Sequence, residues 1–130
     1  MKYLIDTHIF LWLLFEPSKI SKNKLEKLKN SSNQVYISSI SFWEISIKFG
    51  LGKLVLSGCV PEELPKLALQ MELEIIDANA QELSSAYRLP NIHKDPFDRL
   101  IIHQCITRNI SLISEDGKFD GYREFGLDIL

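Results

Sequence analysis

Residues 2–17, KYLIDTHIFLWLLFEP, decide the fold. Lys2 to Asp6 reads as a short strand whose apolar centre is buried. Thr7 to Phe15 is almost wholly apolar and reads as a helix, stopped by Glu16-Pro17. A strand that passes straight into a helix, with an acid at the junction, is the opening unit of an α/β sheet.

Outward from that stretch the alternation continues. Ile20 to Asn30 is a second helix, apolar at Ile20, Leu25 and Leu28 and otherwise rich in lysine. Val35 to Ser38 is a strand and Ser39 to Phe49 a helix, ended by Gly50 and Gly52. Pro61 to Met71 is helical, with proline in the first turn. Glu74 to Ile76 is a strand, Asn79 caps a helix through about Tyr87, and Pro96 opens a long helix through about Arg108. Ser111 to Ser114 and Leu127 to Leu130 are the last strands. The expected fold is α/β: three layers, α/β/α, around a central, mainly parallel sheet of about five strands, as one domain over residues 1–130. Ligands of such sheets bind beyond the carboxyl ends of the strands.

Composition agrees with a folded, soluble chain: 45 % hydrophobic and 25 % charged residues over 130 positions supply a core without staples. Cys59 and Cys105 form no CxxC pair, so both are expected as reduced thiols in a cytoplasmic protein, Cys105 simply packed. Asp6 and His8 interrupt the approach to the apolar run and no small-residue cleavage site follows, so no signal peptide is expected. No stretch is long enough to span a bilayer. The net charge of −2 does not resemble that of a nucleic-acid binder, but with four carboxylates committed to a cation the remainder sums to −2 + 4 = +2.

Four acids fall at or just past strand ends, or in the turn that follows: Asp6, Glu44, Asp98 and Asp116. Carboxylates gathered at one point repel each other, and a hard divalent cation such as Mg²⁺ or Mn²⁺ relieves that repulsion with an octahedral oxygen shell. Such a cation activates water and stabilises charge on a phosphate. Each acid also has a plainer use. Asp6 or Thr7 would cap the first helix, Ser41 and Glu44 match a capping box, and Glu44 would pair with Lys48 one turn on. Asp95 before Pro96 is a good cap, Asp98 suits the helix dipole, and Asp116-Gly117 is a turn signal.

Four motifs resemble the PIN-domain family: Leu4-Ile5-Asp6-Thr7-His8, Ser39-Ile40-Ser41-Phe42-Trp43-Glu44-Ile45, Asp95-Pro96-Phe97-Asp98-Arg99-Leu100-Ile101-Ile102, and Leu112-Ile113-Ser114-Glu115-Asp116 with Phe119. Each is weak alone; the ordered set spans nearly the whole chain. The resemblance implies a metal-dependent endoribonuclease of the VapC type, the toxin of a toxin–antitoxin pair. It would hydrolyse RNA phosphodiesters with a metal-activated water, be restrained by an antitoxin, and form a homodimer. Asp6, Glu44, Asp98 and Asp116 would be the catalytic, metal-binding acids, with Glu115 the alternative to Asp116. Thr7 would help orient Asp6 or a metal-bound water, and Asp95 and Ser114 would stand behind the acids. By their nearness to these acids in sequence, His93 is expected at the edge of the site and Arg99, Lys94 and Lys118 as RNA contacts.

The other readings are narrower. Arg88 and Arg123 also lie near the site in sequence, while the five lysines from Lys19 to Lys29 read first as a solvated face. His8, His93 and His103 fit no zinc spacing. An aspartyl phosphatase would want a second Asp where His8 stands, and no phosphate-binding glycine loop is present. The alternative to the nuclease is a non-catalytic interaction module on the same fold. The all-round apolar helix near residue 10 is expected either in the core or beneath a partner.

Overall fold

A computed structural model describes residues 1–130. Four strands, β1 (Lys2–Ile5), β2 (Gln34–Ser38), β3 (Glu74–Ile76) and β4 (Ser111–Ile113), form one all-parallel sheet in the order β3-β2-β1-β4. Six α-helices connect them: α1 (Thr7–Phe15), α2 (Lys22–Lys29), α3 (Ser39–Gly50), α4 (Leu64–Gln70), α5 (Ala80–Ser85) and α6 (Pro96–Arg108).

Alternation along the strands makes the three layers. Tyr3, Ile5, Val35, Ile37 and Ile113 face one core with Ile9 and Phe10 of α1, Ile45 of α3 and Leu64 and Ala68 of α4. Leu4, Ile76 and Leu112 face the other, with Ile101, Ile102 and Cys105 of α6 and Phe119, Tyr122 and Leu127 beyond β4. Each fully buried aliphatic side chain contributes about 2 kcal/mol of burial. Helix α3 contributes Ile40 to the second core and Ile45 to the first, and touches both α1 and α6. It closes the carboxyl edge of the sheet.

Two expectations change in detail. The segment expected as a fifth strand, Leu127 to Leu130, pairs with β4 only through a parallel bridge between Ile129 and Leu112. Its Asp128 carbonyl accepts from the Leu112 amide at 2.8 Å, and the Leu112 carbonyl accepts from the Leu130 amide at 2.9 Å. Gly126, in the left-handed region at φ 101°, turns the chain immediately before it. The stretch Gly117–Phe125, which carries no helical periodicity in sequence, forms 3₁₀ turns that bury Phe119 and Tyr122.

The chain runs outward from β1 through β2 to β3, then returns to lay β4 on the other side of β1. The reversal between β1 and β4 opens a crevice at their carboxyl ends. Asp6 ends the first of these strands, and Ser114 and Asp116 follow the second.

Candidate functional site

Asp6 caps α1, its Oδ1 accepting from the Ile9 amide at 2.8 Å. Its Oδ2 accepts from the Ser114 hydroxyl at 2.5 Å, and that hydroxyl in turn accepts from the Asp116 amide at 3.0 Å. One serine therefore ties together the acids that end β1 and follow β4. Burial pushes the Asp6 carboxyl up, against the lowering pull of the Ser114 and Ile9 bonds. Thr7 donates to Ser41 of α3 at 2.9 Å, fixing α3 over this corner.

Asp116 caps the 3₁₀ segment through the Lys118 amide at 2.9 Å. Asp6 and Asp116 line an open cleft of about 310 Å³ with His8, Trp12, Glu115 and Gly117. Glu115 turns to α2, accepting from the Ser21 amide at 3.1 Å and pairing with Lys24 at 3.3 Å. Burial opposes its charge, but these partners outweigh burial and hold its carboxyl below the usual range.

Glu44 and Asp98 come from α3 and α6 and do not line that cleft. Trp43 and Phe97, each the residue just before one of these acids, meet edge to face with ring centroids 5.3 Å apart and set the two helices against each other. Glu44 is 2 % exposed. Its Oε2 is paired with the Lys48 ammonium, and its Oε1 is buried with no partner. The capping box read from Ser41 and Glu44 does not form, because the N-cap of α3 is Ser38, whose hydroxyl accepts from the Ile40 amide.

Burial raises the Asp98 carboxyl to about 7, with help from the charges of Asp95, Glu44, Asp6 and Asp116. Acids from both strands and from α3 therefore act on Asp98 of α6. His93 Nε2 stands 3.7 Å from Asp98 Oδ2. Its Nδ1 accepts from the Asp95 amide at 3.1 Å, so the neutral ring carries its proton on Nε2, toward the carboxylate. Asp95 itself is a cap, with Oδ1 accepting from the Phe97 and Asp98 amides.

As placed, no three His, Cys, Asp or Glu side chains approach one point closely enough to ligate an ion together. The donor set nevertheless suits a hard cation. It is all carboxylate oxygen, and one buried oxygen lacks any donor, an arrangement that ordinarily costs about 1–3 kcal/mol or more.

Lys94 and Lys118 are exposed and free to meet an anion. Arg99, expected with them as an RNA contact, is committed elsewhere. Its guanidinium donates to the carbonyls of Pro90 at 2.9 Å and Leu89 at 3.1 Å, and reaches the His93 carbonyl and Tyr122 hydroxyl at 3.4 Å. The same hydroxyl accepts from the His93 amide at 2.8 Å. Arg99 and buried Tyr122 thus clamp the loop that carries His93 and Asp95. Tyr122 was invisible to sequence reasoning, although its spacing of three from Phe119 suits a 3₁₀ face.

A second apolar groove of about 330 Å³ runs beside the acidic cleft and shares His8 and Trp12 with it. Leu11, Phe15 and the turn Leu54 to Leu56 complete its walls. Helix α1 is therefore half in the core, through Ile9 and Phe10, and half along this groove. No helix is long and apolar enough to cross a membrane.

The family model described as the PIN domain matches residues 3–124. No curated protein matches the sequence. Among solved structures, a chain of VapBC2 from Rickettsia felis, bound to a DNA fragment from its promoter, is 27 % identical with a TM-score of 0.69, covering 100 % of this chain and 98 % of that one. VapBC-1 from nontypeable Haemophilus influenzae is 21 % identical at 0.67, covering 100 % and 97 %. DNA-bound VapBC from Salmonella typhimurium is 20 % identical at 0.64, again covering 100 % and 97 %. The last two speak for the fold alone.

Proposed function

The chain belongs to the PIN-domain family, and from that premise we propose that it is a metal-dependent endoribonuclease, the toxin of a toxin–antitoxin pair. The observation that carries the reading is Glu44: a buried carboxylate with one oxygen left without a donor, whose charge acts on Asp98. A non-catalytic module on this fold would gain nothing from that arrangement, and would be more stable with a neutral side chain there.

Asp6, Glu44, Asp98 and Asp116 would hold Mg²⁺ or Mn²⁺, as an all-oxygen set suits. When bound, the cation supplies Lewis-acid stabilisation of phosphate charge and a water of lowered pKa. The chain's own residues do the remaining work. Ser114 orients Asp6 and fixes the backbone at Asp116, so the two acids of the cleft keep one geometry. Thr7 and Ser41 hold α3, and hence Glu44, over the end of β1. His93 presents an N–H toward Asp98 and stays in place through the Asp95 amide. Lys94 and Lys118 flank the site as contacts for the RNA backbone. Asp116, not Glu115, is assigned as the fourth acid, because Glu115 is spent on Ser21 and Lys24.

The antitoxin is assigned to the apolar groove beside α1, which is continuous with the acidic cleft through His8 and Trp12. The solved relatives are toxin–antitoxin assemblies, which supports a partner of that kind. A homodimer and a cytoplasmic location complete the proposal.

The test is cleavage of structured cellular RNAs by the purified, partner-free protein with Mg²⁺, Mn²⁺ or chelator, beside Asp98→Asn. Cleavage is expected to need the cation and to fall by more than about a hundredfold in the variant, since even residues behind a ligand are worth about ten- to a hundredfold. Folded wild-type protein that cuts no RNA with either cation sinks the proposal.

A further inference from the structure

Glu44 differs from the other three acids in having a lysine in ion-pair contact. Asp6 is held by a hydroxyl and an amide, Asp116 by an amide, and Asp98 stands beside the His93 ring. Lys48 lies one turn beyond Glu44 on α3, with its side chain 36 % exposed against 3 % for Glu44. Its partly exposed side chain places its ammonium on Oε2. The partner oxygen of that carboxylate, Oε1, stays buried and unpaired. The ammonium therefore satisfies half of a group built to be satisfied on both sides, and the charges of Asp95 and Asp98 act on it as well.

An ammonium and a divalent cation bind carboxylates by the same attraction, and cannot occupy the same oxygen together. Lysine is suited to exchange, being a compact charge on a flexible stem that solvent can take up at little cost. We infer that Lys48 is a built-in counter-ion that competes with the divalent cation for Glu44, occupying Oε2 in the cation-free protein and yielding it when the cation binds. The inference rests on the proposal that these acids hold a divalent cation. It adds a regulation of that site: Lys48 weakens cation binding and keeps the carboxylate neutralised while the site is empty. A plain helix-surface pair would not have this effect, because neither partner would be needed elsewhere.

The test is direct binding of Mn²⁺, read from the signal of the free ion by electron paramagnetic resonance, on wild-type protein, Lys48→Met, Lys48→Gln and Asp98→Asn. Circular dichroism checks that each is folded, and two Lys48 variants guard against failure of one. Both are expected to bind Mn²⁺ more tightly than wild type, by about tenfold, a change worth about 1.4 kcal/mol. Asp98→Asn is expected to lose binding. Unchanged or weaker binding in the Lys48 variants, with Asp98→Asn still defective, overturns the inference and leaves the nuclease proposal standing: Lys48 would then merely hold Glu44 in place. Absence of Mn²⁺ binding in wild type overturns both.

Discussion

Two glutamates of this chain are buried to a similar degree, Glu44 at 2 % exposure and Glu82 at 7 %, and the protein treats them in opposite ways. Around Glu82 every demand is met. Arg108 grips it with a fork at 2.6 and 2.8 Å, and Asn79 exchanges capping bonds with it. Gln104 links it onward to Ser38 at the end of β2. The Arg108 bond leads the causes that hold its carboxyl below the usual range, over the opposing effect of burial. Around Glu44 one oxygen has a lysine and the other has nothing. A carboxylate that serves the fold is surrounded until it is satisfied. On the proposed function Glu44 is the other kind, buried and left short at a cost in stability that a bound cation would offset.

The sharpest way to break this comparison is to neutralise both. Glu44→Gln is expected to remove RNA cleavage by more than about a hundredfold while leaving the melting temperature unchanged or higher. Glu82→Gln should do the reverse, losing about 2 kcal/mol in urea titration with cleavage intact, since a charged, partly exposed hydrogen-bonded pair is lost. If both variants lose stability alike, Glu44 is a structural residue and the contrast fails.

A smaller effect sharpens the border between the two regions. Tyr122→Phe removes the acceptor of the His93 amide and one contact of Arg99. It should cost about 1 kcal/mol and lower cleavage less than any change to the four acids. A loss of cleavage as deep as that of Asp98→Asn would move Tyr122 from the scaffold into the site.

The last effect is a slope. The folded-state value of about 7 for Asp98 lies above the ordinary carboxylate value, so the folded protein holds that proton more tightly than the unfolded chain. The contribution of Asp98 is thus fully present below about pH 4 and lost as pH rises through about 7. In chelator the melting temperature should fall between pH 5 and pH 8, and Asp98→Asn should flatten the fall. The lowered carboxyls of Glu82 and Glu115 act in the opposite sense, but below this window. Added Mg²⁺ should lift the alkaline end most, since it binds the ionised form.

Sequence made α6 legible to the residue, because its boundaries are local: Asp95 caps it, Pro96 occupies the first turn, and Asn109 ends it in the left-handed region. The four strands were legible for a similar reason, as short apolar runs. What escaped depends on neighbours far along the chain. Glu115 and Asp116 are adjacent acids, distinguished in sequence only by the Gly117 and Phe119 that follow; what engages Glu115, Ser21 and Lys24 of the α2 region, lies far along the chain. Arg99 reads as a free cation until Leu89, Pro90 and Tyr122 claim it. The Ser41–Glu44 spacing is indistinguishable from that of Asn79–Glu82, yet only the second pair forms a capping box. Glu44 is instead buried on a helix that touches both α1 and α6, which no pattern within α3 reveals.

The bond from Ser114 to Asp6 joins residues 108 positions apart. During synthesis β1 is made well before its neighbour β4. Until β4 has been made and paired with β1, Asp6 has no Ser114, and the part of the cleft that Asp116 lines is not formed. The cleft is therefore a product of the assembled sheet and of no local segment, and any change that keeps β4 from docking removes it as a whole.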